Sequence, residues 1–144
     1  MSVRHRLEGR ITVALPPAEA FELFTPRGEE RWVEGWSPRF PVPATDDTAP
    51  GTVFETAHGE PTTWVVLDRE PGRRVSYARV TPGSRAGTVT VTLDEDGDGH
   101  TTVQVVYDLT ALNPDAAGDL RRFAAGYPAF LDSWQEAITR AGRP

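Results

Sequence analysis

The stretch from Asn113 to Gly142 constrains the fold more than any other part of the chain. Leu120, Phe123, Ala124, Tyr127, Phe130, Leu131, Trp134, Ala137 and Ile138 recur at spacings of three and four, the repeat of one helical face. Arg121, Arg122, Asp132, Gln135, Glu136 and Arg140 fall off that face. Asn113 suits the N-cap, Pro114 the first helical position and Asp115 the positive end of the helix dipole. Gly142 is a natural stop, with Arg140 and Arg143 at the negative end. The spacing predicts one long amphipathic helix, about 40 Å at 1.5 Å per residue. Pro128 removes a backbone hydrogen bond, which predicts a kink beside Gly126. A helix this long and this aromatic needs a sheet to lie on. It either closes a solid core or roofs a cavity, and the polar atoms of Tyr127 and Trp134 need partners in both cases.

The rest of the chain supplies that sheet. Val3, His5, Leu7, Ile11, Val13 and Leu15 share one parity, and Arg4, Arg6, Glu8, Arg10 and Thr12 share the other, so the first strand buries one face. Pro16-Pro17 ends it and opens a short helix over Ala18–Phe24. Thr25 and Pro26, as N-cap and first residue, begin a second short helix reaching Trp32. Glu34–Gly51 is rich in Pro, Gly, Asp and Thr and reads as a loop, long enough to need either a function or disorder as its reason. Five strands follow, near Thr52–Ala57, Thr62–Arg69, Arg73–Thr81, Gly87–Asp94 and Thr101–Thr110. Each is bounded by a turn signal, and the short links make neighbours antiparallel. Val89, Val91 and Leu93 oppose Thr88, Thr90 and Thr92. Val103, Val105, Tyr107 and Leu109 oppose Thr102, Gln104 and Asp108, so one face is covered and one solvated. The order is α+β: a strand, two short helices, a five-strand meander and a long last helix, in a single domain over residues 1–144.

Composition narrows the function. The net charge is −6 and the basic residues are spread along the chain, which argues against a nucleic-acid partner. No apolar run is long enough to span a bilayer, and the charged start lacks the apolar segment of a signal peptide. There is no cysteine, which excludes disulfides and thiolate chemistry. A cytoplasmic location is expected. His5, His58 and His100 share no metal-like spacing, and no metal or cofactor is implied. Asp94-Glu-Asp96-Gly-Asp98-Gly99 matches the first six positions of a calcium loop. The twelfth position, however, is Val105, not the bidentate Glu, and the flanks are strands, so it reads as an acidic hairpin turn. There is no nucleophile elbow, phosphate loop or dinucleotide fingerprint.

The element order, with Ile11-Thr-Val-Ala-Leu-Pro-Pro-Ala-Glu-Ala-Phe21, Trp32-Val-Glu-Gly-Trp36, Gly51-Thr-Val-Phe54 and the aromatic last helix, resembles the START-like (SRPBCC) superfamily. Its members include polyketide cyclase/dehydrase-type, lipid-transport and Hsp90-ATPase-activator-like proteins. The resemblance spans essentially the whole chain. It implies the helix-grip fold, in which a curved antiparallel sheet of about six strands wraps a long C-terminal helix, with two short helices after the first strand. It also implies a hydrophobic ligand held between sheet and helix, and it names no reaction.

Strand parity and this resemblance together nominate a chamber. Phe54 with Thr56, Tyr77 with Arg79, and Tyr107 with Leu109 are taken as inward because those faces carry the larger apolar groups. Trp64 is a further candidate, although Val65 and Leu67 would serve the opposite face as well. Phe123, Tyr127 and Phe130 lie above, and Trp32 and Trp36 bracket a glycine at the start of the long loop, where they can form a lid or plug the sheet edge. Arg79 beside Tyr77 can clamp a carboxylate or polarise a carbonyl, or it can sit at a strand end in water. Tyr107 and His58 complete the acid–base candidates.

Three functions fit these features. A binding module for a small hydrophobic or aromatic molecule predicts a connected cavity of about 300 Å³ or more, lined by Phe54, Tyr77, Tyr107 and Tyr127. A cyclase/dehydratase-type enzyme predicts at least two acid–base groups converging on that cavity, with no metal and no covalent intermediate. An Hsp90-activator-like interaction domain predicts a filled core and an exposed apolar patch. The oligomeric state is not encoded in any of these features.

Overall fold

The computed structural model describes residues 3–142; Arg143, assigned above to the helix end, lies outside them. Strand β1 (Arg4–Val13) leads through α1 (Pro17–Glu22) and a short 3-10 helix (Gly28–Arg31) to the meander β2 (Val53–Thr56), β3 (Thr62–Glu70), β4 (Arg74–Thr81), β5 (Arg85–Glu95) and β6 (Thr101–Ala111). Helices α2 (Pro114–Ala125) and α3 (Tyr127–Ala141) follow. The six strands form one antiparallel sheet in the order β1-β6-β5-β4-β3-β2, so the first strand closes against the last. This is the α+β helix-grip architecture: a curved antiparallel sheet with its C-terminal helices on the concave face.

The C-terminal segment departs from the single kinked helix that its periodicity predicts. The chain breaks at Gly126, which ends α2 and precedes α3, and Pro128 lies in the first turn of α3, where its missing N–H costs nothing. Proline thus starts a new helix here and does not bend an old one. The predicted N-cap is present: Asn113 Oδ1 accepts from the Ala116 amide at 2.8 Å, while its Nδ2 donates to the Gly83 carbonyl at 2.6 Å. Helix α3 is fastened to the sheet twice. Tyr127 donates its hydroxyl to the Val105 carbonyl at 2.7 Å, and Gln135 Oε1 accepts from the Thr12 amide on the edge strand β1 at 2.9 Å. The second bond also shields that edge from pairing with another chain.

Strand β5 starts at Arg85, two residues before the expected Gly87, and this places Arg85 in register opposite Thr81. Gly87 in β5 lies close against β6: a Cβ there would fall 1.9 Å from the Asp108 carbonyl oxygen. Only glycine permits that approach, and it lets the sheet bend tightly at this point. The parity expectations for β1 and β6 hold, with Ile11, Val13, Val103, Val105, Tyr107 and Leu109 all buried. In β3 the buried face is that of Trp64 and Val66, and Leu67 is exposed. The register shifts between Val66 and Asp68, which ends the alternation at Leu67.

The long loop is ordered by specific bonds. Arg39 and Glu55 exchange two backbone hydrogen bonds of 2.8 Å, adding a bridge outside β2. The Arg27 amide donates to Asp47 at 2.9 Å, and Arg69 donates to Asp46 at 2.5 Å and to Thr48 at 2.8 Å. The Arg69 hydrogen bond holds the Asp46 carboxyl below the usual carboxylate range. The acidic hairpin after β5 is a turn, with Asp96 Oδ1 accepting from the Asp98 amide at 3.0 Å.

Candidate functional site

The antiparallel register arranges inward side chains in three rows across the concave face. The first is Val66, Tyr77, Val89 and Tyr107. The second is Phe54, Trp64, Arg79, Gly87 and Leu109. The third is polar: Thr56 pairs with Thr62, Thr62 Oγ1 lies 2.7 Å from Thr81 Oγ1, and Thr81 pairs with Arg85. Between these rows and the helices lies a cavity of about 290 Å³. That is close to the lower end of the size range for ligand pockets.

All three rows border the cavity except at Val66 and Gly87, as do Phe123 from α2 and Phe130 and Trp134 from α3. Phe24, Glu29, Val33 and Trp36 close it from the side of the short helices. The rings contact one another edge-on in most cases. Trp36 meets Trp64 at 5.7 Å and Phe54 at 6.3 Å, while Tyr107 meets Phe130 at 5.8 Å. Phe54 and Trp64 instead stack in parallel at 5.7 Å. Such a wall is rigid and apolar, and it suits a flat molecule.

The nominated residues fall into two groups. Trp36, Phe54, Thr56, Trp64, Tyr77, Arg79, Tyr107, Phe123, Phe130 and His58 border the cavity. Trp32 and Tyr127 do not. Trp32 is buried beneath Trp134 and Phe24, with its Nε1 donating to the Leu23 carbonyl at 2.7 Å. Tyr127 spends its hydroxyl on Val105, as described above. The tryptophans bracketing Gly35 therefore separate, one into the core and one onto the cavity wall. The Trp36 indole is itself fixed by donation to the Pro26 carbonyl at 2.8 Å. His58 is exposed at the mouth, close to Gly35.

Among the acid–base candidates, Tyr77 is held by structure: its hydroxyl donates to the Phe24 carbonyl at 2.8 Å, and burial raises its pKa well above the ordinary phenol value. Burial also raises Tyr107, with Arg79 pulling it partway back. Both phenols are neutral donors or acceptors at physiological pH. Arg79 is not in open water at a strand end. Its guanidinium lies 4.8 Å from the Trp64 ring centre, and Nη2 donates to Thr81 Oγ1 at 3.1 Å. Burial lowers its pKa, but a guanidinium starts so high that it stays charged.

Glu29 escaped the sequence reading. It sits in Gly28-Glu-Glu-Arg31, within the short helix read from Thr25 to Trp32, and nothing in that run distinguishes it from Glu30. Thr25 makes the difference. Its Oγ1 accepts from the Gly28 amide at 3.0 Å and donates to the Glu22 carbonyl at 2.9 Å, folding the 3-10 helix back so that Glu29 faces the cavity. Burial lifts its carboxyl well above the normal carboxylate range. The folded chain therefore holds this proton more tightly than the unfolded chain does. Stability is greatest below the unfolded pKa, about 4.3, and falls as pH rises toward the folded one. Glu29→Gln is expected to remove that loss, gaining on the order of 1 kcal/mol at neutral pH and nothing at pH 4. Urea unfolding at the two pH values reads it; an equal effect at both would contradict a buried carboxyl.

A curved sheet gripping its C-terminal helices over an aromatic cavity places the protein in the helix-grip class. The chain belongs to the family described as polyketide cyclase / dehydrase and lipid transport, whose sequence model matches residues 4–139. Several solved structures share the fold. Protein MLL2253 from Mesorhizobium loti is 20% identical with a TM-score of 0.68, the alignment covering 94% of this chain and 98% of that one. CalU16 from Micromonospora echinospora is 19% identical with a TM-score of 0.62, covering 94% and 86%. Norcoclaurine synthase from Thalictrum flavum, in complex with dopamine and hydroxybenzaldehyde, is 12% identical with a TM-score of 0.63, covering 96% and 86%. No curated protein sequence matches the chain. Among the described residues, no helix is long and apolar enough to cross a membrane.

Proposed function

We propose that this is a cytoplasmic protein that binds a small hydrophobic or aromatic molecule between the sheet and helices α2 and α3. The observation that carries the reading is the cavity of about 290 Å³, walled by rings from both layers and dotted with a few hydroxyls. A core that needed only to be filled would close this space, since packing defects of that size are costly. Norcoclaurine synthase, a protein of the same fold, has been seen with two small aromatic molecules, which supports the reading by analogy. An interaction domain with a filled core is disfavoured by the same cavity. The cytoplasmic location rests on the sequence reading alone.

The neutral bicyclic phenol 1-naphthol is expected to quench the fluorescence of Trp36 and Trp64 saturably. It is also expected to raise Tm, by the equivalent of about 2.7 kcal/mol at a hundred times Kd. Failure to saturate up to the solubility limit would remove the proposal.

A catalytic reading has one observation in its favour: Glu29, its pKa raised by burial, shares the apolar cavity with the cationic Arg79. Enolisation of a ketone needs a base for the α-proton and a partner for the developing oxyanion. The Glu29 carboxylate, made more basic by its raised pKa, can take the proton while Arg79 holds the oxygen. Deuterium uptake at the α-carbon of an aryl ketone is the measurement, and uptake that survives in Glu29→Gln counts against it.

A further inference from the structure

Arg79 is a cation in a mostly apolar wall with almost nothing to balance it. A guanidinium carries five N–H donors, and the protein takes up one of them, through Thr81. Its Nε is buried without a partner. Among the described residues no carboxylate forms an ion pair with it. Arg4, on the edge strand, behaves differently: it sends Nε and Nη2 to both oxygens of Asp108 at 2.8 Å each.

The surroundings sharpen the imbalance. A second cation, Arg85, borders the same cavity from the facing strand, and the two arginines repel. Arg85 lies 5.7 Å from the Phe123 ring centre and bonds only to Ser84. Two carboxyls border the cavity and neither bonds to Arg79: Glu29, whose pKa burial raises, and Glu60, exposed at the mouth and near enough to favour the Arg79 charge. The cavity thus has an aromatic body and a positive, donor-rich end. A partly buried charge without a counter-charge is costly, and an anionic group entering the cavity would offset that cost.

We propose that the cavity selects a planar aromatic carboxylate, with its rings against Trp64 and Phe54 and its carboxylate on Arg79, Arg85 adding attraction from the next strand. This rests on the cavity-binding reading above and names the ligand class for that same site.

The test compares 2-naphthoate with its neutral isostere 2-naphthamide, by titration calorimetry on the full chain. The wild-type protein is expected to bind the carboxylate about tenfold or more tighter than the amide, the margin by which charge-assisted hydrogen bonds exceed neutral ones. Arg79→Gln is expected to erase that preference by weakening the carboxylate alone. Arg79→Lys keeps the charge without the planar donor edge and should retain part of the preference. The wild-type comparison stands even if a variant fails to fold. Equal binding of the two ligands overturns the anion assignment and leaves the cavity reading intact. Binding of neither overturns both.

Discussion

Replacing Gly28 by alanine is expected to lower the unfolding free energy by about 3 kcal/mol, at the upper end of the range for overpacking. A Cβ at this position would lie 1.6 Å from the Glu22 carbonyl oxygen and 2.7 Å from Thr25 Oγ1. The first clash is with backbone, so no side-chain rotation relieves it. The turn must open, and with it go both Thr25 hydrogen bonds and the inward aim of Glu29. Thermal unfolding should show Tm lowered by about 9 °C for a domain of this size. Because the same turn carries Glu29, the Gly28 variant should also lose the pH-dependent part of the stability that Glu29→Gln removes. A variant of unchanged Tm would mean that the turn does not hold Glu29 in place.

Phe54→Ala is expected to cost about 3 kcal/mol and to enlarge the cavity. Phe54 is buried at the edge strand β2 and touches Trp36, Phe40, Trp64 and Tyr77. Removing a buried phenyl ring costs about 3–5 kcal/mol. The lower figure applies here because one side of the ring already borders open space. The loss should fall unevenly: Trp64 loses its stacked neighbour, while the rings on α3 are untouched. Chemical denaturation measures the cost, and 1-naphthol titration should register the wider cavity as a change in affinity. A loss under 1 kcal/mol would indicate that β2 and its loop add little to the fold.

Much of this architecture was legible because period-two and period-3.6 patterns report burial directly. Val89, Val91, Val103, Val105 and the aromatic helix face needed no further information. What escaped the sequence was set by contacts between distant segments. Trp32 and Trp36 look equivalent as a pair around a glycine. Only the carbonyls of Leu23 and Pro26, one for each indole, send them to different places. Tyr127 shares its helical stripe with Phe123 and Phe130, but the carbonyl of Val105 draws it to the sheet. Arg85 was missed because the clear alternation begins only at Gly87, two residues after the strand does. Glu29 was hidden by its charge, since a carboxylate in a Gly-Glu-Glu-Arg run is ordinarily on the surface. The break at Gly126 was half visible: proline marked the place, but kink and interruption differ only in whether the preceding residues cap.

That interruption alters how the roof bears load. A continuous helix would act as a rod, passing any push at one end to the other. Here the push stops at a joint. Helix α3 is bolted to β6 and β1 through Tyr127 and Gln135, whereas α2 leans on the sheet with Phe123 over the cavity and is pinned at its far end by Asn113. Both helices roof the cavity, Phe123 from α2 and Phe130 and Trp134 from α3, so the joint at Gly126 divides the roof itself. A change at Phe123 therefore reshapes the chamber from one side of the joint, and a change at Phe130 or Trp134 from the other.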